Sequence, residues 1–195
     1  MNELYTALLR AVEFFHRHGE IDLFGRNWDR MPARVGKTRT PHLLRRVVGQ
    51  VWPLKQRLFP NPVYTAAAAA TKGPAPSKSQ TLAQYRFALC FENSILKGWM
   101  TEKLFDCFFA GTVPIYWGAP DVLDWVPAEC FIDMRQFADF PELRRFLHAV
   151  TPPQEQAYRE TARAYLASER FAPFRVGAFV DIVARMVASD TGLPV

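Results

Sequence analysis

The sequence predicts an α/β fold: a parallel sheet with helices on both faces. Three observations lead there. Residues 85–91 and 113–117 are short, almost continuous apolar runs, the pattern of strands covered on both sides. Residues 101–110 between them read as a helix, with Thr101 at the N-cap, Glu102 in the first turn and Gly111 after the end. Strand, loop, helix and strand within about 30 residues form a crossover unit, which places its two strands parallel.

The remaining elements follow in order. Residues 4–17 carry apolar side chains at 4, 8, 9, 12 and 15, the spacing of an amphipathic helix, and Gly19 stops it. Residues 21–24 form a short strand ended by Gly25. Residues 26–60 are basic and irregular, with Pro32, Pro41, Pro53 and room for a short helix near 42–50. Residues 60–80 read as a flexible loop, because prolines and the Lys72-Gly73-Pro74 corner bound the alanine run. Phe131-Ile132 is a third short strand. Amphipathic helices are expected near 141–149, 153–168 and 174–188. The whole chain, 1–195, is read as one domain.

Composition excludes several classes. At 49% hydrophobic and 22% charged, the chain is neither disordered nor fibrous. No apolar run approaches the ~18 residues of a membrane helix. Cys90, Cys107 and Cys130 are too few and too scattered for a disulfide framework or a cysteine-ligated zinc site. His16, His18, His42 and His148 have no metal-binding spacing, and no metal is expected. The net charge of +5 divides into +8 over residues 1–80 and −3 over the rest. That basic first part allows an anionic partner or a solvated basic face. It carries no helix-turn-helix or RNA-recognition signature, so nucleic acid is not expected.

Ligands of parallel α/β sheets bind beyond the carboxyl ends of the strands. Here that end is 92–103, ENSILKGWMTEK. Lys103 stands at a helix start, where free N–H groups and the helix dipole already favour anions. Glu102 accepts hydrogen bonds only, which suits a pair of vicinal hydroxyls. Asn93 suits a base edge, a sugar hydroxyl or the loop backbone. The Trp99 ring either stacks on a ligand or packs under the loop. A helix start, a lysine and a diol-reading carboxylate together fit a nucleotide diphosphate. Taken singly, each is also an ordinary surface residue. No glycine-rich dinucleotide or P-loop pattern is present.

Residues 85–137 resemble the signature region of the α-1,3-fucosyltransferases, glycosyltransferase family 10. The pieces stand in order: Tyr85-x-Phe87, Phe91-Glu92-Asn93-Ser94, Thr101-Glu102-Lys103, Ala110 to Ile115, Gly118-Ala119-Pro120 and Phe131-Ile132-Asp133. Ile21 to Gly25, and Lys72-Gly73-Pro74 with Lys78, Leu82 and Tyr85, resemble the upstream approach. The resemblance implies a Rossmann-like domain, the C-terminal half of a GT-B enzyme, that binds GDP-fucose. It implies inverting transfer of L-fucose to an acceptor of N-acetyllactosamine type, with no essential cofactor. Glu102 would bind ribose hydroxyls and Lys103 the diphosphate. Glu92, Asn93, Trp99 and Lys78 would complete the substrate site. The family has an arginine in the first helix; Leu8 falls near that position, and Arg10 is the nearest arginine.

The family's full enzymes carry a further domain that supplies acceptor contacts and a general base. This chain is expected to lack it, and transfer would then need a separate acceptor domain. The alternative reading is a truncated, non-catalytic GDP-sugar-binding module. The expected setting is bacterial, cytoplasmic or peripheral to the inner membrane.

Overall fold

The computed structural model describes residues 3–26, 28, 54 and 57–191. The elements run α1 (Tyr5–Arg17), β1 (Leu23–Phe24), α2 (Pro62–Ala70), β2 (Thr71–Gly73), α3 (Lys78–Leu82), β3 (Phe87–Phe91) and α4 (Glu102–Ala110). They continue with β4 (Val113–Trp117), α5 (Val122–Trp125), β5 (Ile132–Asp133), α6 (Phe140–Ala149), α7 (Pro152–Ala167) and α8 (Val176–Thr191). The short helix expected near 42–50 lies outside the described residues.

All strand pairings are parallel, but the strands fall into two small sheets. One joins β1 to β2; the other has the order β3-β4-β5. In the larger sheet Phe87 pairs with Val113 and Phe91 with Trp117. Pro114 has no N–H to give, but β5 pairs with β4 only from Ile115 onward. At Pro114 the strand has a single neighbour, a position where proline costs little.

Strand side chains alternate between two cores, so helices cover both faces as predicted. Cys90 and Tyr116 face α4 and α7, in a cluster with Leu104, Phe108, Tyr165 and Phe171. Phe91, Val113 and Ile115 face α1 and α6, in a cluster with Ala11, Phe15 and Leu143. Helix α1 has a second apolar edge: Leu9 and Val12 pack on Ala67 and Ala70 of α2. It therefore ties the small sheet to the large one.

The segment 60–80, expected as a flexible loop, is ordered secondary structure. Asn61 caps α2 by accepting from the Val63 N–H at 3.1 Å, and Pro62 takes the first turn, where its missing N–H costs nothing. Alanine has the highest helix propensity. Ala66, Ala67 and Ala70 are also buried, so small side chains here allow close approach to α1 rather than leaving the segment loose. Ser77 caps α3. Helix α8 begins and ends later than expected and carries exposed apolar side chains, among them Val176, Phe179 and Met186. Among the described residues no helix is long and apolar enough to cross a membrane.

A second tie joins the sheets ahead of β3. The Tyr85 hydroxyl donates to Asp22 at 2.7 Å, and its ring meets Phe24 edge-on at 6.0 Å between centroids. This hydrogen bond, helped by Lys72, holds the Asp22 carboxyl below its ordinary range. A depressed carboxyl contributes stability above its unfolded pKa and loses it as pH falls through the folded value. Tyr85→Phe should therefore cost about 0.5 kcal/mol near pH 7, solvent screening keeping the loss small. The gap to wild type should narrow as pH is lowered from about 5 to about 3. Denaturation across that range checks it; a gap independent of pH would show that Asp22 is not involved.

Candidate functional site

The site forms where β3, β4 and β5 end. Glu92 follows β3 and is 1% exposed. Its carboxylate accepts the Thr101 N–H at 2.8 Å and the Thr101 hydroxyl at 3.1 and 2.9 Å. Thr101 is the N-cap residue of α4, as predicted, but its side chain does not cap the helix; the hydroxyl is turned to Glu92. A carboxylate at a helix start is favoured by the dipole. Burying a carboxylate still costs several kcal/mol unless it is paired and hydrogen-bonded. The pairing comes from Lys103.

The Lys103 ammonium lies 3.0 Å from Phe91 O, 3.4 Å from Glu92 Oε2 and 3.3 Å from Asn93 Oδ1. Three N–H donors meet three acceptors, so the charge is fixed at the end of β3. The start of α1 reaches the same place. Leu4 N–H donates to Asn93 O at 3.0 Å, and Glu3 bridges Ser94. Two helix starts thus lie beside Asn93, but that of α1 is already occupied by the Glu3 carboxylate, which accepts the Thr6 N–H at 3.1 Å, so the anion-favouring start is that of α4.

The turn after β4 closes the other side. The Glu92 N–H donates to Trp117 O at 2.8 Å. A Cβ on Gly118 would lie 2.4 Å from both Glu92 Cγ and the Tyr116 hydroxyl oxygen. Only glycine fits there. Tyr116 is fully buried and its hydroxyl accepts the Ala119 N–H at 3.0 Å. Burial pushes this phenol well above its ordinary range; the Ala119 bond opposes it by less, and the Glu92 charge adds a smaller upward push. It stays protonated. Asp133, at the end of β5, accepts from Arg135 Nε and from Nη2, the latter at 2.7 Å, while Nη1 donates to Pro120 O at 3.1 Å. The Asp133 bond raises the Arg135 guanidinium's already high pKa, so its charge is permanent.

Of the residues singled out from sequence, Glu92, Asn93 and Lys103 come into direct contact. Glu102 is exposed on the first turn of α4, 3.7 Å from Lys78 Nζ; Lys78 also pairs closely with Asp106. Burial works against the Lys78 charge, but the two carboxylates outweigh it and raise its pKa. Trp99 is 48% exposed, so its ring is open to a ligand rather than packed under the loop. Arg10 is exposed and joins no hydrogen bond or ion pair among the described residues, while Leu8 packs against the α1–sheet core. The structure does not tie Arg10 to the cluster. Sequence reasoning missed Asp121, Arg135 and Tyr116. The only signal for them was position: each lies at or just beyond a strand's carboxyl end. A cavity of about 530 Å³ beside β5, lined in part by Phe131, Phe146, Val150 and Tyr158, includes none of the predicted residues.

Two stability outcomes follow from this geometry. Gly118→Ala should lose about 2 kcal/mol, the cost of forcing a methyl group into packed space, read from the urea midpoint. Lys103→Ala should lose about 1–2 kcal/mol, because buried Glu92 keeps only Thr101 as partner; the lysine's partial exposure limits the loss. An unchanged midpoint in Lys103→Ala would show that Thr101 alone satisfies the carboxylate.

The comparisons bear on the same segment. The profile described as glycosyltransferase family 10 (fucosyltransferase) C-term matches residues 48–165. The chain is 42% identical over 66 residues to "Alpha-(1,3)-fucosyltransferase FucT" of Helicobacter pylori, covering 34% of this chain and 14% of that protein. It is 38% identical over 82 residues to "GDP-fucose protein O-fucosyltransferase 3" of Gallus gallus, covering 40% and 17%. It is 39% identical over 66 residues to "Alpha-(1,4)-fucosyltransferase" of Arabidopsis thaliana, covering 34% and 16%. The chain thus spans less than a fifth of the length of these relatives. A crystal structure of α1,3-fucosyltransferase with GDP aligns at 34% identity over 47% of this chain and 26% of that chain. Its TM-score of 0.39 carries no argument about overall arrangement. With the family profile matching more than half of its length, the chain belongs to glycosyltransferase family 10, the fucosyltransferases.

Proposed function

We propose that this chain is the donor-binding part of a fucosyltransferase, the C-terminal half of a GT-B enzyme, and that it takes GDP-fucose at the carboxyl ends of β3, β4 and β5. The observation that carries the reading is Lys103, whose ammonium is fixed at the end of β3 in the first turn of α4. Family membership and the relative named for GDP-fucose support it. In this reading the diphosphate displaces Asn93 Oδ1 from Lys103 and binds there and at the start of α4, Glu102 accepts from the ribose hydroxyls, and Asn93 and Trp99 line the donor. Lys78 keeps Glu102 oriented through their ion pair.

An acceptor oxygen attacks C1 of fucose, the bond from C1 to the diphosphate oxygen breaks, and GDP leaves with the electron pair. Positive potential fixed beside the leaving diphosphate stabilises the charge that develops there. The acceptor proton goes to a general base. The cluster's own buried carboxylates are committed, Glu92 to Thr101 and Lys103 and Asp133 to Arg135. The base therefore comes from outside this cluster, from a further domain or a partner. The mechanism needs no metal. The acceptor proposed is an N-acetylglucosamine-containing glycan joined through an α-1,3 linkage. A single displacement at a β-linked donor would give that α product; the anomeric configuration read by NMR decides between inversion and retention.

Calorimetric titration with GDP tests the binding reading. Lys103→Ala, measured where it remains folded, should weaken GDP by about ten- to a hundredfold, the value of one charge-assisted contact to phosphate. Lys97→Ala, in the exposed part of the same loop, should change affinity by less than about threefold. Equal losses would replace the site with a nonspecific basic patch. Tight GDP-fucose binding without transfer, even with an acceptor domain supplied, would favour the non-catalytic module.

A further inference from the structure

The loop 94–100 brings Leu96 and Trp99 to the surface, 55% and 48% exposed. A ring on a mobile tip would have to be ordered at each binding event, and that ordering subtracts from affinity. The structure shows what orders the backbone that carries it. Trp99 N–H donates to Leu96 O at 3.1 Å, closing a turn. Gly98 sits in the left-handed region at φ 72°, which glycine adopts without strain. This conformation presents the Gly98 N–H to Asp121, whose two carboxylate oxygens accept it at 2.9 and 3.1 Å. Asp121 belongs to a different loop, the one after β4. That loop is itself held by Arg135 through Pro120 O, and Arg135 by Asp133 at the end of β5. A line of hydrogen bonds runs from β5 to the residue next to Trp99.

We propose that Asp121 is a positioning residue of the nucleotide-sugar site: its carboxylate clamps the Gly98 N–H and so holds the Trp99 ring ready to cover the bound GDP-sugar. This rests on the GDP-fucose reading above. Asp121 contributes nothing to the buried core, and its bond is solvent-exposed, so its effect falls on ligand affinity rather than on folding. An aromatic ring fixed in advance can meet a base or the C–H face of a sugar without first being ordered.

The test uses the full chain with GDP-fucose in calorimetry, and hydrogen exchange at the Gly98 amide without ligand. Asp121→Ala should weaken GDP-fucose by about three- to tenfold, the range of one ordering contact, with an unchanged melting temperature. Asp121→Asn keeps one acceptor oxygen and should recover most of that loss. Trp99→Ala should cost at least as much as Asp121→Ala, and the double variant no more than Trp99→Ala alone. The Gly98 amide should exchange faster in Asp121→Ala. Multiplying losses in the double variant, or unchanged Gly98 exchange, would overturn the clamp. A loss in Lys103→Ala with none in Trp99→Ala overturns the positioning role but leaves the nucleotide reading standing. No binding of GDP or GDP-fucose by wild type overturns both, whatever the Gly98 exchange shows.

Discussion

A buried carboxylate organises this protein's functional edge. Glu92 is nearly inaccessible, and its charge is tolerable only because Thr101 and Lys103 meet it. Meeting it fixes three things at once. The start of α4 is drawn to the end of β3, the Lys103 ammonium is held at that junction, and the residue that follows β4 opposite Glu92 must be glycine, Gly118. Each consequence is a constraint on the binding site, yet each arises from the cost of burying one charge. The usual separation between residues that stabilise a fold and residues that bind therefore breaks down here. Lys103 does both.

The rest of the rim is built the same way, by loops bonded to one another rather than to a core. Asp121 reaches from the β4 loop to the β3 loop, and Arg135 from the β5 loop to the β4 loop. Beneath the rim, the sheet can be small because both its faces are covered. Aromatic rings pack edge-on around Phe171 and Phe105 on one side, and α1 with α6 closes the other. Parallel strands feeding helices in this order leave the loops at one end, so side chains far apart in sequence collect there.

The electrostatics suit departure of an anion better than deprotonation of an alcohol. Glu92, Asp121 and Asp133 each already accept hydrogen bonds from the protein, while the Lys103 ammonium is fixed in place at the start of α4. In the proposed function, a site of this kind stabilises the leaving diphosphate with charge already in place. The relatives' names print α-(1,3)-, α-(1,4)- and protein O-fucosyltransferase.

The sequence by itself determined the crossover unit, since apolar runs at 85–91 and 113–117 around an amphipathic helix have few other solutions. It also placed the polar loop 92–103 at the carboxyl end of β3, and Glu92, Asn93 and Lys103 lie close enough in the chain to be read together as a candidate site. It misjudged 60–80: flanking prolines looked like loop signals, whereas Pro62 begins a helix whose alanines are selected by contact with α1. Only the tertiary structure decided that the strands divide into two sheets and that Thr101 turns to Glu92. It alone paired Lys78 with Glu102 and Gly98 with Asp121. These partners lie 9 to 24 residues apart, joined by no periodicity. Their meeting follows from where each strand ends in the sheet, which local sequence does not encode.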